Sequence, residues 1–292
     1  QHNLLFIGPP GSGKTMLASR LPGLLPPMSD DEALQSAMVQ SLAQSPGNWL
    51  NHWRQRPFRA PHHTASGIAL VGGGAHPKPG EISLAHGGVL FLDELPEYSR
   101  KVLDVLREPM ESGRIVISRA QQSIEYPARF QLLAAMNPCP CGYHGDSSGR
   151  CHCTQEQVQR YQGQASGPLL DRIDMHVAVP PLPLQQLQQQ PTGDSSYQVR
   201  QRVESARNLQ QRRQQCSNGQ LSSRQCEQFC ALEQNDLQWF AQTAEQLNLS
   251  ARGYHRLLKI ARTIADLADN SAIQRVHLAE AIGYRSLDRY LK

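Results

Sequence analysis

Residues 4–15, LLFIGPPGSGKT, decide the fold. The apolar run Leu4–Ile7 predicts a short buried strand, and the residues from Gly8 to Thr15 fit G-x-x-x-x-G-K-[ST]. Glycines in this pattern let backbone N–H groups curl around phosphate oxygens, and the helix predicted from Met16 offers its N-terminus to the anion. The sequence therefore predicts a nucleotide phosphate site formed by Gly8, Pro9, Pro10, Gly11, Ser12, Gly13, Lys14 and Thr15.

Two side chains of this loop carry its chemistry. Lys14 is placed to reach the β and γ phosphates of ATP, and Thr15 is placed to bind Mg²⁺. The alternative is an ordinary glycine-rich turn. The position of the motif between a predicted strand and a predicted helix favours the phosphate loop, because that is the context the motif requires.

A second apolar run ends in two carboxylates. Val89–Leu92 predicts a buried strand, and Asp93 and Glu94 follow it directly. The carboxyl ends of parallel strands share one edge of the sheet, so both acids should lie beside the phosphates. We expect Asp93 to hold Mg²⁺ through water and Glu94 to orient the attacking water. A solvated acidic pair is the alternative for either residue taken alone.

Two more polar side chains are expected at the same edge. Asn137 follows the apolar run 132–136, where its amide would hydrogen-bond the γ phosphate or the attacking water. Arg172 lies in LLDRID, residues 169–174, just before the last predicted core strand. Spacing alone leaves open that Arg172 forms a surface salt bridge with Asp171 or Asp174.

Strands alternate with helices in the first part of the chain. Helices are predicted over 16–25, 30–42 and 101–110, and a hairpin is predicted around residues 119–122. The alternation predicts an α/β core with a parallel sheet covered by helices on both faces. The predicted core strands are Leu4–Ile7, Val89–Leu92, Phe130–Ala135 and His176–Val179.

The composition changes at Pro180. Residues 1–180 form the predicted core, the proline and glutamine stretch 181–194 is a predicted linker, and residues 195–292 show only helical periodicity. The sequence therefore predicts a small all-α domain after the core.

The whole-chain composition bounds the class of protein. The chain has 292 residues, 39% of them hydrophobic, and a net charge of +4, which suits a nucleic-acid partner without requiring one. No apolar run is long enough to span a bilayer and no signal peptide is present, so we expect a cytoplasmic protein. The chain starts at Gln1 without Met, which suggests an excerpt of a longer protein.

Four of the seven cysteines crowd into residues 139–153 as two C-x-C pairs. Four thiolates close together suit tetrahedral Zn²⁺, and the intervening loop has few apolar residues that would fold it. We therefore expect structural zinc on Cys139, Cys141, Cys151 and Cys153. Four reduced cysteines in a loop are the alternative.

The order of these motifs resembles that of AAA+ ATPases, and the finer match covers nearly the whole chain. RPFRAPHHT at 56–64, PGEISLAH at 79–86 and MNPCPCGY at 136–143 are similar to signatures of the magnesium-chelatase-like bacterial proteins of the ComM/YifB family. The resemblance implies an AAA+ P-loop NTPase core followed by a helical lid, working as a hexameric ring with ATP and Mg²⁺.

The resemblance also implies roles for two arginines. Arg172 would act as an arginine finger on the neighbouring subunit's ATP, and Arg252 would be the second sensor of the lid, in its own subunit or in the neighbour's. The family carries an N-terminal domain resembling the Lon protease fold, and nothing in this chain corresponds to it, which again suggests an excerpt.

The resemblance suggests DNA as the load. Two insertions, the helix-2 insert around Lys78 and the hairpin before the asparagine strand with Arg119, correspond to hairpins that touch DNA in related ring helicases. Basic side chains there could track the phosphates of single-stranded or branched DNA, and a solvated loop charge is nearly as good an explanation for each residue. The expected function is a DNA helicase or translocase that promotes branch migration in natural transformation. The alternatives are a chelatase motor and a protein-remodelling ATPase.

Overall fold

The computed structural model describes residues 1–43, 52–74, 77–119, 122–146, 149–165, 167–182 and 193–285. For Arg119 and Gln122 it describes the backbone alone. The chain divides into two units. The first comprises residues 3–173 and 177–182, and the second comprises residues 1–2, 174–176 and 193–285, within the described ranges.

Five strands in the described part of the chain form a parallel sheet with the order β2-β5-β8-β1-β9. Two antiparallel pairs, β3 with β4 and β6 with β7, lie outside it. The strands are β1 (Leu4–Ile7), β2 (Phe58–Arg59), β3 (Gly72–Gly73), β4 (Lys78–Pro79), β5 (Val89–Leu92), β6 (Arg114–Arg119), β7 (Gln122–Pro127), β8 (Gln131–Met136) and β9 (Met175–Ala178).

The described helices fall into a group that flanks the strands and a group that forms the second unit. The first group is α1 (Lys14–Arg20), α2 (Asp30–Ser41), α3 (Gly67–Val71), α4 (Glu81–Leu84), α5 (Arg100–Asp104), α6 (Arg107–Ser112), α7 (Gln155–Gln164) and α8 (Gly167–Leu170). The second group is α9 (Ser196–Gln214), α10 (Ser223–Phe229), α11 (Gln234–Gln246), α12 (Ala251–Leu267) and α13 (Arg275–Gly283).

The centre of the sheet confirms the expected α/β core. All four residues of β5 are buried, and so are the five residues 132–136 of β8. A strand covered on both faces has a continuous apolar run, which is the pattern that identified both strands. The predicted strands therefore lie where expected, to within one residue at each end.

The helix predicted over 101–110 is wrong as a single element. The chain forms α5, turns at Val105 and Leu106, and starts again as α6. Pro109 explains the break, because a continuous helix would need its missing N–H and would push its ring against the carbonyl of Val105. In α6 the proline lies in the first turn, where no intrahelical N–H bond is lost.

The helix predicted over 30–42 is confirmed as α2, but its apolar spacing does not mark its buried face. Ser29 caps the helix in a reciprocal capping box with Glu32. The buried positions are Ala33, Ser36 and Val39. Leu34, Met38 and Leu42 are exposed instead.

The second unit is helical and has its own apolar core, with Phe240, Leu257 and Leu278 fully buried. Residues 183–192 of the predicted linker lie outside the described residues. Among the helices that the structure describes, none combines the length and the apolar character that crossing a bilayer requires.

Candidate nucleotide site

The parallel sheet brings three motifs to one edge. β1 pairs with β8, with Ile7 opposite Met136, and β5 pairs with β8 on its other side, with Leu92 opposite Ala134. The residues that follow these strands are the glycine loop, Asn137 and the Asp93–Glu94 pair. These motifs are far apart in the sequence. They form one site because they follow neighbouring parallel strands that end at the same edge of the sheet.

The glycine loop is shaped by backbone geometry that only glycine adopts easily. Gly11 and Gly13 have φ values of 75° and 89°, in the left-handed region. Gly13 is the N-cap of α1, and no described side chain caps that end of the helix. The first N–H groups of α1 are therefore left for an anion. Gly8 packs so closely that a Cβ there would lie 2.1 Å from the carbonyl oxygen of Val179.

Lys14 is held over this loop. Its Nζ donates to the carbonyl oxygens of Gly8 at 2.8 Å and Pro9 at 2.9 Å, and to Oδ1 of Asn137 at 3.2 Å. Burial lowers the pKa of Lys14, while the charge of Asp93 opposes that shift. The predicted phosphate lysine and the predicted asparagine are thus in direct contact, with the ammonium group between the loop and β8.

The two predicted magnesium ligands are also in contact. Thr15 Oγ1 donates to Asp93 Oδ2 at 2.6 Å, and the Glu94 N–H donates to Asp93 Oδ1 at 2.9 Å. A hydroxyl and a carboxylate are hard oxygen donors of the kind that Mg²⁺ binds together with phosphates. The donor set therefore fits Mg²⁺.

Glu94 has φ 52°, a left-handed conformation that is uncommon outside glycine. Its side chain is 54% exposed, and its Oε2 lies 3.2 Å from Nδ1 of His63. The sequence analysis did not predict this contact and assigned His63 no role in the site. The contact follows from strand order, because His63 lies four residues after β2 and β2 pairs with β5, which ends two residues before Glu94.

Arg172 lies in the same unit but is engaged elsewhere. Its Nη1 donates to the Pro168 carbonyl oxygen at 2.7 Å and its Nη2 to Glu111 Oε1 at 2.5 Å. The ion-pair partner is therefore a residue of α6, where spacing had suggested Asp171 or Asp174. The Nε atom is buried without a hydrogen-bond partner among the described residues.

The remaining predicted residues are spread over other elements. Arg252 is exposed in the first turn of α12, in the second unit. Lys78 is exposed in β4. Arg119 ends β6, and its side chain lies outside the described part of the chain.

The four predicted zinc ligands come together. Their Sγ atoms all lie within 4.8 Å of one another. The Sγ of Cys139 is 3.3 Å from that of Cys141 and 3.9 Å from that of Cys151.

Comparison with known proteins assigns the family. Residues 1–187 match the family model described as magnesium chelatase, subunit ChlI, and residues 193–285 match the model of its C-terminal part. The chain is 55% identical, over its whole length, to the competence protein ComM of Haemophilus influenzae. It is also 55% identical, over 99% of its length, to the uncharacterized protein YifB of Escherichia coli. The chain belongs to the magnesium-chelatase-like ComM/YifB family.

A more distant relative is a plant protein. A chloroplastic magnesium-chelatase subunit ChlI of Nicotiana tabacum is 27% identical over 60% of this chain and 41% of its own length. The chain spans 57% of the length of the ComM and YifB relatives. Proteins of this family have an AAA+ core, and an AAA+ core implies ATPase activity.

Proposed function

We propose that this chain is the ATPase core of a DNA motor that binds ATP with Mg²⁺ and works as a hexameric ring. The observation that carries the proposal is the paired contact at the sheet edge, Lys14 with Asn137 and Thr15 with Asp93. These four residues come from three separate segments of the chain. A structural role alone gives no reason for a buried lysine as the first residue of a helix whose N-cap is a glycine.

The geometry supports a division of tasks among these residues. Lys14 and the N–H groups of α1 would bind the phosphates, and Thr15 with Asp93 would hold Mg²⁺, whose chemistry is to neutralise charge on the phosphates. Glu94 would orient and polarise the attacking water, with His63 fixing its carboxylate. Asn137, through its contact with Lys14, would report whether the γ phosphate is present.

The arginines extend the proposal to a ring. Arg172 would enter the site of a neighbouring subunit, which requires its contact with Glu111 to open. Arg252 would contact nucleotide from the helical unit. An arginine supplied from a neighbour contributes ~10³-fold or more to turnover in related enzymes, so isolated subunits should turn over slowly.

We propose DNA as the substrate on which the motor acts. A relative that is 55% identical over the whole chain is named competence protein ComM, and this name supports DNA as the substrate of the present chain. The exposed Lys78 and the antiparallel hairpin of β6 and β7 belong to the two insertions for which DNA contacts are expected, and a basic side chain there would contact the phosphate backbone. We infer branch migration of single-stranded or branched DNA during natural transformation as the process.

The test is ATP turnover with and without single-stranded DNA, together with displacement of a labelled strand from a branched junction by the full-length protein. We expect stimulation by DNA and ATP-dependent displacement. Lys78→Ala should reduce the stimulation and leave ATP binding unchanged, and Lys101→Ala, an exposed lysine of α5, is the matched control. Absence of both stimulation and displacement would reject the DNA motor.

The similarity to the tobacco protein supports a second candidate, a chelatase-type motor. It predicts turnover that is indifferent to DNA and stimulated by a metal-inserting partner complex. The same turnover assay therefore separates the two candidates.

A further inference from the structure

The four clustered cysteines have the geometry of a single-ion site. In a tetrahedral site with Zn–S bonds of about 2.3 Å, neighbouring sulfur atoms lie about 3.8 Å apart. The separations of Cys139–Cys141, Cys141–Cys151 and Cys139–Cys151 are 3.3, 3.7 and 3.9 Å. They far exceed the S–S bond length of about 2.05 Å, and all four cysteines are free thiols. The cluster is thus shaped around an ion-sized centre.

The surroundings of the cluster suit thiolate ligands. The backbone N–H of His144 points to Cys139 Sγ at 3.3 Å, and such donors stabilise the negative charge of metal-bound thiolates. The described residues between the two C-x-C pairs are mostly glycine and polar, so burial of apolar side chains contributes little to their order. A metal ion would supply what this segment lacks.

The cysteine cluster adjoins the nucleotide site. Cys139 is two residues beyond Asn137, and the Pro138 carbonyl oxygen accepts a hydrogen bond of 2.8 Å from Gln162. Gly142, with φ 87°, packs against the phosphate loop so tightly that a Cβ there would lie 2.4 Å from Cδ of Pro10. The backbone of the cysteine segment therefore forms one wall of the loop that is to hold the phosphates.

We propose that the four cysteines hold one structural Zn²⁺ and that this zinc site braces the phosphate loop, so that ATP affinity depends on the metal. The zinc would take no part in hydrolysis. Its effect would pass through Gly142 to Pro10 and through residues 137–139 to Asn137. The coupling, though not the metal site itself, rests on the proposed binding of ATP.

The first experiment measures zinc content and ATP affinity in the same full-chain samples. We expect about one zinc per chain and, when Co²⁺ is substituted, the visible d–d bands of a tetrahedral site together with thiolate charge-transfer bands in the near ultraviolet. Cys151→Ser combined with Cys153→Ser should abolish zinc binding and raise the Kd for ATP ~10-fold or more, a modest change in free energy. Cys216→Ser, a thiol of the helical unit, is the control and should change neither.

The second experiment avoids the risk that the double variant fails to fold. Gly142→Ala keeps all four thiols, so it should retain zinc while weakening ATP binding through the clash with Pro10. Gly145→Ala introduces the same unfavourable backbone conformation, φ 79°, but its Cβ meets nothing within 4 Å. It should retain both zinc and ATP affinity.

Each outcome has a separate meaning. A chain without zinc, or one loaded with iron, would overturn the metal assignment. A zinc-free or Gly142→Ala protein with unchanged ATP affinity would overturn the brace. A zinc-loaded wild-type chain that fails to bind ATP would instead reject the proposed function, because zinc content is measured independently of nucleotide.

Discussion

At the scale of single residues, backbone conformation sets the direction in which the side chains of the nucleotide site point. Glu94 is held in a left-handed conformation two residues after the buried strand β5, and Asp93 before it accepts hydrogen bonds from both the Thr15 hydroxyl and the Glu94 N–H. The two acids therefore point in different directions, Asp93 to Thr15 and Glu94 towards solvent and His63. This separation supports different roles for adjacent carboxylates.

Glu94→Gln tests that separation. Because glutamine keeps the shape but cannot act as a base, we expect ATP binding to persist while turnover falls roughly 10²-fold or more. Phosphate release and nucleotide binding should be measured on the same sample. Glu97→Gln, an exposed acid of the next turn, is the control. Equal turnover in the Glu94 and Glu97 variants would exclude Glu94 as the residue that activates water.

At the scale of secondary-structure elements, buried polar groups fix how loops and helices pack. His86 follows α4, and its Nδ1 accepts the backbone N–H of Arg129 at 3.1 Å while Nε2 lies 3.2 Å from Gln35 Oε1. Burial, helped by the charge of Arg129 and opposed by Glu32, lowers the pKa of His86 to about 4. The ring must stay neutral for Nδ1 to accept that hydrogen bond.

This pKa predicts a loss of stability in acid. The folded-state value lies below the unfolded one, so the unfolded chain binds more protons as the pH falls from about 6.5 towards 4. We expect His86 to remove about 2 kcal/mol from the free energy of unfolding between pH 7.5 and 5.0. Burial also lowers the pKa of His2 and His277, which adds to the effect.

The contribution of His86 can be isolated by denaturant unfolding at the two pH values. His86→Asn keeps an acceptor but does not titrate, so the difference between pH 7.5 and 5.0 should shrink by about that amount. His52→Asn, at an exposed position, should leave the difference unchanged. A wild-type pH dependence that persists in His86→Asn would show that other groups cause it.

The helical unit contains a buried charged network centred on Asp266, whose side chain is 1% exposed. Its carboxylate accepts from Arg213 at 2.7 and 2.9 Å, from Arg262 at 3.1 Å and from Asn218 at 2.7 Å. These contacts join α9, α12 and the turn between α9 and α10. The carboxylate of Asp266 thus pairs with the charges of two arginines.

Asp266→Ala should therefore destabilise the helical unit strongly. Removing the acid leaves buried positive charge uncompensated, which costs roughly 3–5 kcal/mol. Glu204→Ala breaks a half-exposed pair with Arg200 on α9 and should cost no more than about 0.5 kcal/mol. Chemical denaturation of both variants measures the contrast. Similar losses would show that the network contributes no more than a surface pair.

At the scale of the whole molecule, the proposed ring places complete sites between subunits. Arg172 contacts Glu111 within its own chain, so the proposed action on a neighbour's ATP would require the assembly to open that contact. The exposed apolar side chains of α2, Leu34, Met38 and Leu42, are consistent with a surface that a neighbour could cover. Turnover per chain should then rise with protein concentration.

Mixing inactive variants tests the shared site. Glu94→Gln has a dead site but an intact Arg172, and Arg172→Ala has an intact site but no finger. An equimolar mixture should recover up to about a quarter of wild-type turnover, since a productive site needs one subunit of each kind in order. Mixing Glu94→Gln with Lys14→Ala should recover nothing, because no subunit retains its own site. Recovery in neither mixture would argue against an arginine finger at this position.

The sequence by itself determined the buried strands β1, β5 and β8, the phosphate loop and the four clustered cysteines. These features are local, since an apolar run, a glycine pattern or a short spacing carries its physical reason within a few residues. Tertiary structure alone decided that Asn137 contacts Lys14, that His63 contacts Glu94 and that Arg172 pairs with Glu111. Those partners lie 31 to 123 positions apart. Strand order and helix packing bring them together, and neither follows from any single segment.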